Sequence, residues 1–414
     1  MAERSAGDDA VLRWAASGAM ALTGPADGPA LGPPAGLVDG MTRFGAVLER
    51  RSTQLGRPVA VDALQLLGER AAIAGLSRHG AISCGGGTRL LETSDGWLAV
   101  SLARADDIDL LPAWLALDDA AEDPWGEVAR AAAEGRAGEL AERAVLLGLP
   151  VSALPASTVV AQVADPALSP LPCRTERLGD SAPTTEILGL RVVDLSSLWA
   201  GPLCGSLLAL AGAEVVKVES TSRPDGARRG PAPFFDLLNG DKRSVSLDLR
   251  RPEGVRAVHR LISSADVVIE SSRPRALEQL GIDAAELVRD GGPRVWLSIT
   301  GHGRAGEARD RVGFGDDAAV AGGLVCWHEG RPLFCADAVA DPAAGMAAAA
   351  VCLDALATGG RWLVDVGMSG VAAHLSGPTL PVPAGTTAAA PRARTPTTSA
   401  PPLGAHNRLT DGVP

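Results

Sequence analysis

The chain has 414 residues, room for two or more domains at ~100–200 residues each, and its 46 % hydrophobic content suffices for sizeable cores. A net charge of −11 and a pI near 5.1 exclude the broadly basic surface of a nucleic-acid binder, but a local Arg/Lys cluster would still serve a small anionic ligand. Tyrosine is absent and phenylalanine occurs five times, which argues against stacking platforms for single strands.

The N-terminus lacks a basic start followed by an apolar core, so no signal peptide is expected. No apolar run is read as reaching the ~18 residues of a membrane helix. Six scattered cysteines (Cys84, Cys173, Cys204, Cys326, Cys335 and Cys352) form no CxxC pair. They read as reduced, buried thiols rather than a disulfide or zinc framework, which places the protein in the cytoplasm with no metal.

Residues 1–150 open with helical patterns near 40–51 and 62–76 and reach a glycine run, Gly85-Gly86-Gly87. LLETSDGWLAVSL (90–102) then predicts a hairpin turning at Asp95-Gly96. Acidic, alanine-rich helices follow to about 147, and residues 151–186 are proline-rich and read as a linker.

Residues 187–376 alternate β-branched runs with helical stretches. The runs are LRVVDLS (190–196), EVVKVES (214–220), SVSLDL (244–249), DVVIESS (266–272) and RVWLSIT (294–300). Helical stretches at 203–213 and 252–265 lie between them, and Pro252 suits a first helical turn. The fold class is α/β: a Rossmann-like, mostly parallel sheet with a smaller α+β domain. The tail, 377–414, is rich in Pro, Ala and Thr and is expected to be extended or partly disordered.

An internal repeat is also visible. GDDAVLRWAASGAMALTG (7–24) resembles GDDAAVAGGLVCWHEG (315–330). Each copy continues with a Gly-Met pair, Gly40-Met41 or Gly345-Met346, opening an alanine-rich helix, then a short expected strand ending at Asp62 or Asp365. The first copy lacks a Rossmann-like half, so its Asp8 and Asp9 are expected to be vestigial.

The first βα turn, DLSSLWAGP (194–202), lacks the glycines of a dinucleotide fingerprint, although Glu219 ends the second strand as a ribose-binding acid would. The helix after Pro202 still offers N–H groups to an anion. VVDLSSLWAGPLCGSLLALAGAEVVKVE (192–219) resembles the opening motif of family III CoA-transferases of the CaiB/BaiF type, the family of formyl-CoA and carnitine CoA-transferases. The order continues through LLNGDKRSVSLDL, ADVVIESSRP, LSITGHG, FGDDAAVAGGLV and GRWLVDVGMSG, covering about 190–375. CGGGTRLLETSDGWLAV (84–100) is similar to the family's glycine-loop region, which normally follows the catalytic half and here precedes it.

The resemblance implies an aspartate nucleophile near Phe314. Counting forward from the aromatic favours Asp316, with Asp317 as second choice; counting back from Gly323 falls on Gly315. As structural residues, both aspartates would cap the helix that follows. Gly85, Gly86 and Gly87 are implied as oxyanion donors or a lid, with a plain tight turn as the structural alternative. Lys217, Lys242, Arg273 and, less securely aligned, Arg229 are implied for the phosphates of coenzyme A; Asn239 would shape the pocket and His302 would touch the pantetheine arm.

The implied reaction moves coenzyme A between an acyl-CoA thioester and a carboxylic acid through an aspartyl-CoA intermediate, in a homodimer that can be interlaced, with no nucleic-acid or membrane partner. Two rivals are an acyl-CoA racemase, which carries His-Asp where this chain has Gly315-Asp316, and a non-catalytic CoA-binding subunit.

Overall fold

The computed structural model describes residues 6–120, 122–156 and 165–410. Three short strands, β1 (Thr88–Thr93), β2 (Gly96–Ser101) and β3 (Val151–Ala153), form an antiparallel sheet in that order. Leu98, Val100 and Val151 pack against Trp114, Val128, Leu140 and Ala144 to make a small separate core. Thr93 pairs with Gly96, so the hairpin loop is Ser94-Asp95, one residue earlier than expected. The physical reason lies outside the hairpin: the Asp95 carboxylate accepts from the Ala137 N–H at 2.9 Å and so caps the helix Ala137–Leu147.

The large sheet has seven strands: β4 (Arg174–Gly179), β5 (Arg191–Asp194), β6 (Glu214–Ser220), β7 (Arg243–Leu247), β8 (Val267–Glu270), β9 (Val295–Thr300) and, beyond a small hairpin of β10 (Cys326–His328) and β11 (Arg331–Leu333), β12 (Arg361–Gly367). The order is β4-β12-β9-β8-β5-β6-β7, parallel except for β4 at one edge. Val192 and Val193 of β5 lie between Val215 and Val216 on one side and Val267 and Val268 on the other. Such β-branched runs suit strands covered on both faces. Strand order reverses at β5, which opens a crevice at the carboxyl ends of β5 and β8.

Leu261, Ile262, Val288 and Trp296 pack one face of this sheet. Against the other lie the helices Ala200–Ala211 and Ala340–Thr358, and Met41, Phe44, Leu48 and Leu67 belong to the same core. The N-terminal stretch therefore shares the principal core and does not form one unit with residues 88–153. The Ala340–Thr358 helix passes the length and composition test for a membrane span, contrary to the expectation of no such run, but it is almost entirely buried inside the protein.

The segment expected as a linker contributes β3 and β4; residues 157–164 lie outside the description. The tail is extended along the protein: Leu380 N–H donates to Pro33 O at 2.9 Å, and His406 N–H to Ser244 O at 2.8 Å. In the internal repeat, the two alanine-bearing helices Leu37–Gln54 and Ala340–Thr358 pack on each other. Asp365 lies in β12, but Asp62 sits in a turn and accepts from the N–H groups of Leu64 and Gln65, so the expected strand of the first copy is absent there.

The tail's firmest tie is Arg394, which donates to both oxygens of the wholly buried Glu69, at 2.7 and 2.9 Å. Arg394→Ala leaves that carboxylate buried without its cation, which should cost about 3 kcal/mol. A urea denaturation series should show this loss, and limited proteolysis should cut the tail of the variant first.

Candidate active site

The crevice at the switch point is built on two buried ion pairs. The Lys217 ammonium reaches Asp225 at 2.8 Å and donates to Ser196 O at 2.9 Å. Lys242 reaches Asp194 at 2.8 Å and donates to Pro202 O at 2.8 Å. Gly205 permits this approach, since a Cβ there would lie 2.9 Å from Lys242 Nζ. The pairs hold the β5 turn, in which Leu198 takes φ 71° and remains partly exposed at the mouth.

Lys217 and Lys242, expected to bind phosphate, are 1 % and 3 % exposed and have their charges met inside the protein. Asn239 is also buried; its amide donates to Phe235 O at 3.1 Å, and Ala400 and Pro401 of the tail help to close the narrow crevice these three residues line. All three residues lie on the floor of this crevice.

More accessible cations lie higher on the rim, with Arg223 and Arg229 exposed and Arg273 and Arg104 half-buried. Arg273 follows β8, and burial together with the neighbouring Arg275, Arg104 and Arg223 disfavours its charged form, Asp310 working in the opposite sense. Arg104 comes from the small-sheet layer: it pairs with Asp107, donates to Gly148 O at 3.1 Å and lies 5.6 Å above the Phe314 ring. Arg229 is exposed on the short turn after β6. Concentrated like charge at a cleft attracts anions.

Below the rim, Phe314 precedes the helix Gly315–Ala321. Asp341, at the start of the long buried helix, accepts from the backbone N–H groups of both Gly315 and Ala200. One carboxylate therefore closes two helix N-termini, including the one expected to hold an anion. Gly315 has no space for a side chain: a Cβ would lie 2.3 Å from Asp341 Oδ2 and 2.5 Å from Ala338 O.

Asp316 retains part of its solvent contact, whereas Asp317 and Asp337 have none. Asp316 accepts from the Ala338 N–H at 3.2 Å. Burial pushes its pKa up to about 7; Arg70 pulls it down, and Asp337 and Asp341 push it up. Asp317 accepts from the Phe314 N–H at 2.8 Å and the Ser101 hydroxyl at 3.2 Å. It caps its own helix and ties it to β2, the structural role open to it from the start.

The glycine loop lies in the same neighbourhood within one chain. Gly86 takes φ 76°, and its N–H donates to Ser83 O at 2.8 Å, while Gly87 O accepts from Leu102 N–H at 2.9 Å. Cys84 Sγ lies 3.4 Å from Ala336 O, and Gly85 backs on Arg70, whose Nη2 would be 3.4 Å from a Cβ there. Gly85 and Gly86 are exposed. His302 lies beside Gly313, and burial and Arg311 push its pKa down to about 4, which leaves a neutral ring.

Sequence reading missed Arg70, Arg104, Arg223, Asp337 and Asp341. The two aspartates did carry a signal, an acidic pair just before an alanine-rich helix. Nothing local in GERAA (68–72) points Arg70 at Asp337, 267 positions away.

The family described as CoA-transferase family III matches residues 187–412. Over 154 residues the chain is 35 % identical to the succinyl-CoA–D-citramalate CoA-transferase of Chloroflexus aurantiacus, covering 36 % of this chain and 38 % of that one. It is 38 % identical over 184 residues to the (R)-2-hydroxy-4-methylpentanoate CoA-transferase of Clostridioides difficile, covering 41 % and 46 %. A CAIB/BAIF family protein from Brucella suis, of known structure, is 30 % identical with a TM-score of 0.41, covering 45 % of this chain and 54 % of that one. The chain thus spans about two fifths of the length of these curated relatives.

The buried placement of Asp317 has a measurable consequence. Burial raises its pKa to about 7, against the opposing effects of the Phe314 N–H and the Ser101 hydroxyl. Between about pH 4 and pH 7 the folded protein then binds more protons at this site than the unfolded chain, so its contribution to stability falls as pH rises. Asp317→Asn imitates the neutral acid. Its stability relative to wild type, by urea denaturation, should improve from pH 5 to pH 8 and level off above; a relative stability that is flat with pH would contradict the placement.

Proposed function

We propose that this chain, which belongs to CoA-transferase family III, moves coenzyme A between an acyl-CoA and a carboxylic acid, with Asp316 as the nucleophile. The observation that carries the reading is Asp316 itself: a partly accessible carboxyl, below an arginine rim and beside an exposed glycine loop. The names of the curated relatives support the reaction class.

In the forward half, the Asp316 carboxylate attacks the thioester carbonyl. This forms an aspartyl-acyl anhydride and releases CoA thiolate. The thiolate attacks the aspartyl carbonyl, giving aspartyl-CoA and the first carboxylate. The acceptor carboxylate then attacks aspartyl-CoA, forming a second anhydride and again releasing thiolate. Attack of that thiolate on the acceptor's acyl carbonyl yields the new acyl-CoA and restores Asp316. A thiol pKa of ~8.5 makes CoA a good leaving group, and covalent catalysis divides the transfer into easier steps. The N–H groups of Gly85 and Gly87 are the donors assigned to the oxyanions, since the Gly86 N–H already donates to Ser83 O at 2.8 Å.

Arg273, Arg223 and Arg229 are assigned to the phosphates, and Leu198 and His302 to the arm. The homodimer implied by the resemblance is part of this reading, though loop and aspartate are neighbours within one chain. Six free, buried cysteines support a reducing, cytoplasmic setting. A second reading, a CoA-binding subunit without covalent chemistry, is favoured by Gly315, which one count places at the nucleophile and which has no room for a side chain.

Incubation with acyl-CoA followed by intact mass separates the two. A CoA or acyl adduct mapped to Asp316 and lost in Asp316→Asn is expected. An adduct lost only in Asp317→Asn would move the nucleophile, α-proton exchange without an adduct would favour a racemase, and neither event would favour the binding subunit.

Arg273→Ala should weaken CoA binding by about 1.5–3 kcal/mol, the value of a charge-assisted hydrogen bond. Titration calorimetry at low and high salt should show a smaller salt dependence for the variant than for wild type.

A further inference from the structure

Arg70 lies in the N-terminal part of the chain, on the helix Glu69–Ala74, outside the matched region. Its Nε and Nη2 grip the two oxygens of Asp337 at 2.8 and 2.5 Å. Its guanidinium lies 5.2 Å from the Trp199 ring centre, and the exposed Gly85 backs on it. Asp337 is held on a strained turn: Ala336 and Ala338, on either side, take φ 53° and 44°. Few non-glycine residues adopt this conformation, and it persists only where the surroundings enforce it. The turn aims the Ala338 N–H at Asp316, and Thr23 Oγ1 accepts from the Ala336 N–H at 2.9 Å.

We propose that Arg70 is a positioning residue, anchored by Asp337 on the strained turn, that keeps Asp316 in its carboxylate form for attack on the thioester. The proposal rests on the reading of Asp316 as nucleophile. The charged and titratable groups around Asp316 are Arg70, Cys84 at the glycine loop, Asp317 on its own helix, Asp337 on the turn and Asp341 on the long buried helix. Cys84 is kept neutral, since burial, Asp337 and Asp316 all push its pKa up. Arg70 is the cation of this set, and without it Asp316 would sit among like charges and take up a proton. A protonated carboxyl has lost the charge with which it attacks.

The two partners of the ion pair act on Asp316 in opposite senses, which a merely structural pair would not. The probe is the 13Cγ resonance of Asp316, in protein carrying 13C-labelled aspartate and assigned by its loss in Asp316→Asn. In Arg70→Met the titration midpoint should rise by about one pH unit or more. In Asp337→Asn, which keeps an acceptor for Arg70, it should fall. Arg70→Lys should leave it near the wild-type value. The acid limb of adduct formation should move with each midpoint, and adduct formation in Arg70→Met should drop about 5-fold or more at pH 7 and about 10-fold or more at pH 5, where a one-unit rise is felt in full.

A midpoint unmoved in Arg70→Met, or one that does not fall in Asp337→Asn, overturns the proposal. If Arg70→Met does not fold, the Asp337→Asn and Arg70→Lys titrations decide it. Wild-type protein that forms no adduct while the midpoints shift as stated would refute the nucleophile reading and leave standing only the control of the Asp316 proton by Arg70.

Discussion

The structure depends on the burial of one helix. From Pro342 to Ala357 every residue of Ala340–Thr358 is buried, and most are alanine or glycine. Side chains this small let neighbouring helices approach closely, and Leu37–Gln54 and Ala200–Ala211 make extensive contact with it. The two carboxylates it carries join distant parts of the chain. Asp341 closes the N-termini of Ala200–Ala211 and Gly315–Ala321. Asp354 accepts from Arg51 Nε and from the Ser169 N–H, each at 2.5 Å. Buried charges are tolerated only when paired and hydrogen-bonded, so these contacts fix where the partner segments can lie.

The same constraint separates support from chemistry around the switch point. Lys217 and Lys242 lie where a parallel sheet offers ligand-binding side chains, yet both ammonium groups are met by aspartates. Removing either partner would strand a buried charge. The pairs therefore set the geometry of the β5 turn, while the rim arginines come from two layers, Arg104 from the small-sheet layer and Arg273 and Arg223 from loops of the large sheet. A cleft assembled this way responds to any change in how the layers meet.

The internal repeat acquires a physical meaning in this light. Its two alanine-bearing helices pack on each other within a single core. Around them the two stretches differ: Asp365 lies in a strand pairing with β9 and β4, while Asp62 turns its carboxylate to the N–H groups that follow it. The N-terminal copy instead leads into the helix that supplies Arg70. The segment packs in the shared core and brings Arg70 to Asp337.

The parallel sheet was legible in the sequence because its strands are Val-rich runs separated by helical periods, and both patterns are local. The order of motifs along 190–375 likewise identified the family. What the sequence left open was every property set by a partner far along the chain. Whether a lysine faces solvent or an aspartate, which of two adjacent aspartates caps a helix, and which arginine neutralises the other are decided by burial and by distances of about 3 Å. The hairpin register was misjudged for the same reason, since Asp95 is held by a helix some 40 residues on. Periodicity records which face of an element is buried; only the packed structure decides what that face meets.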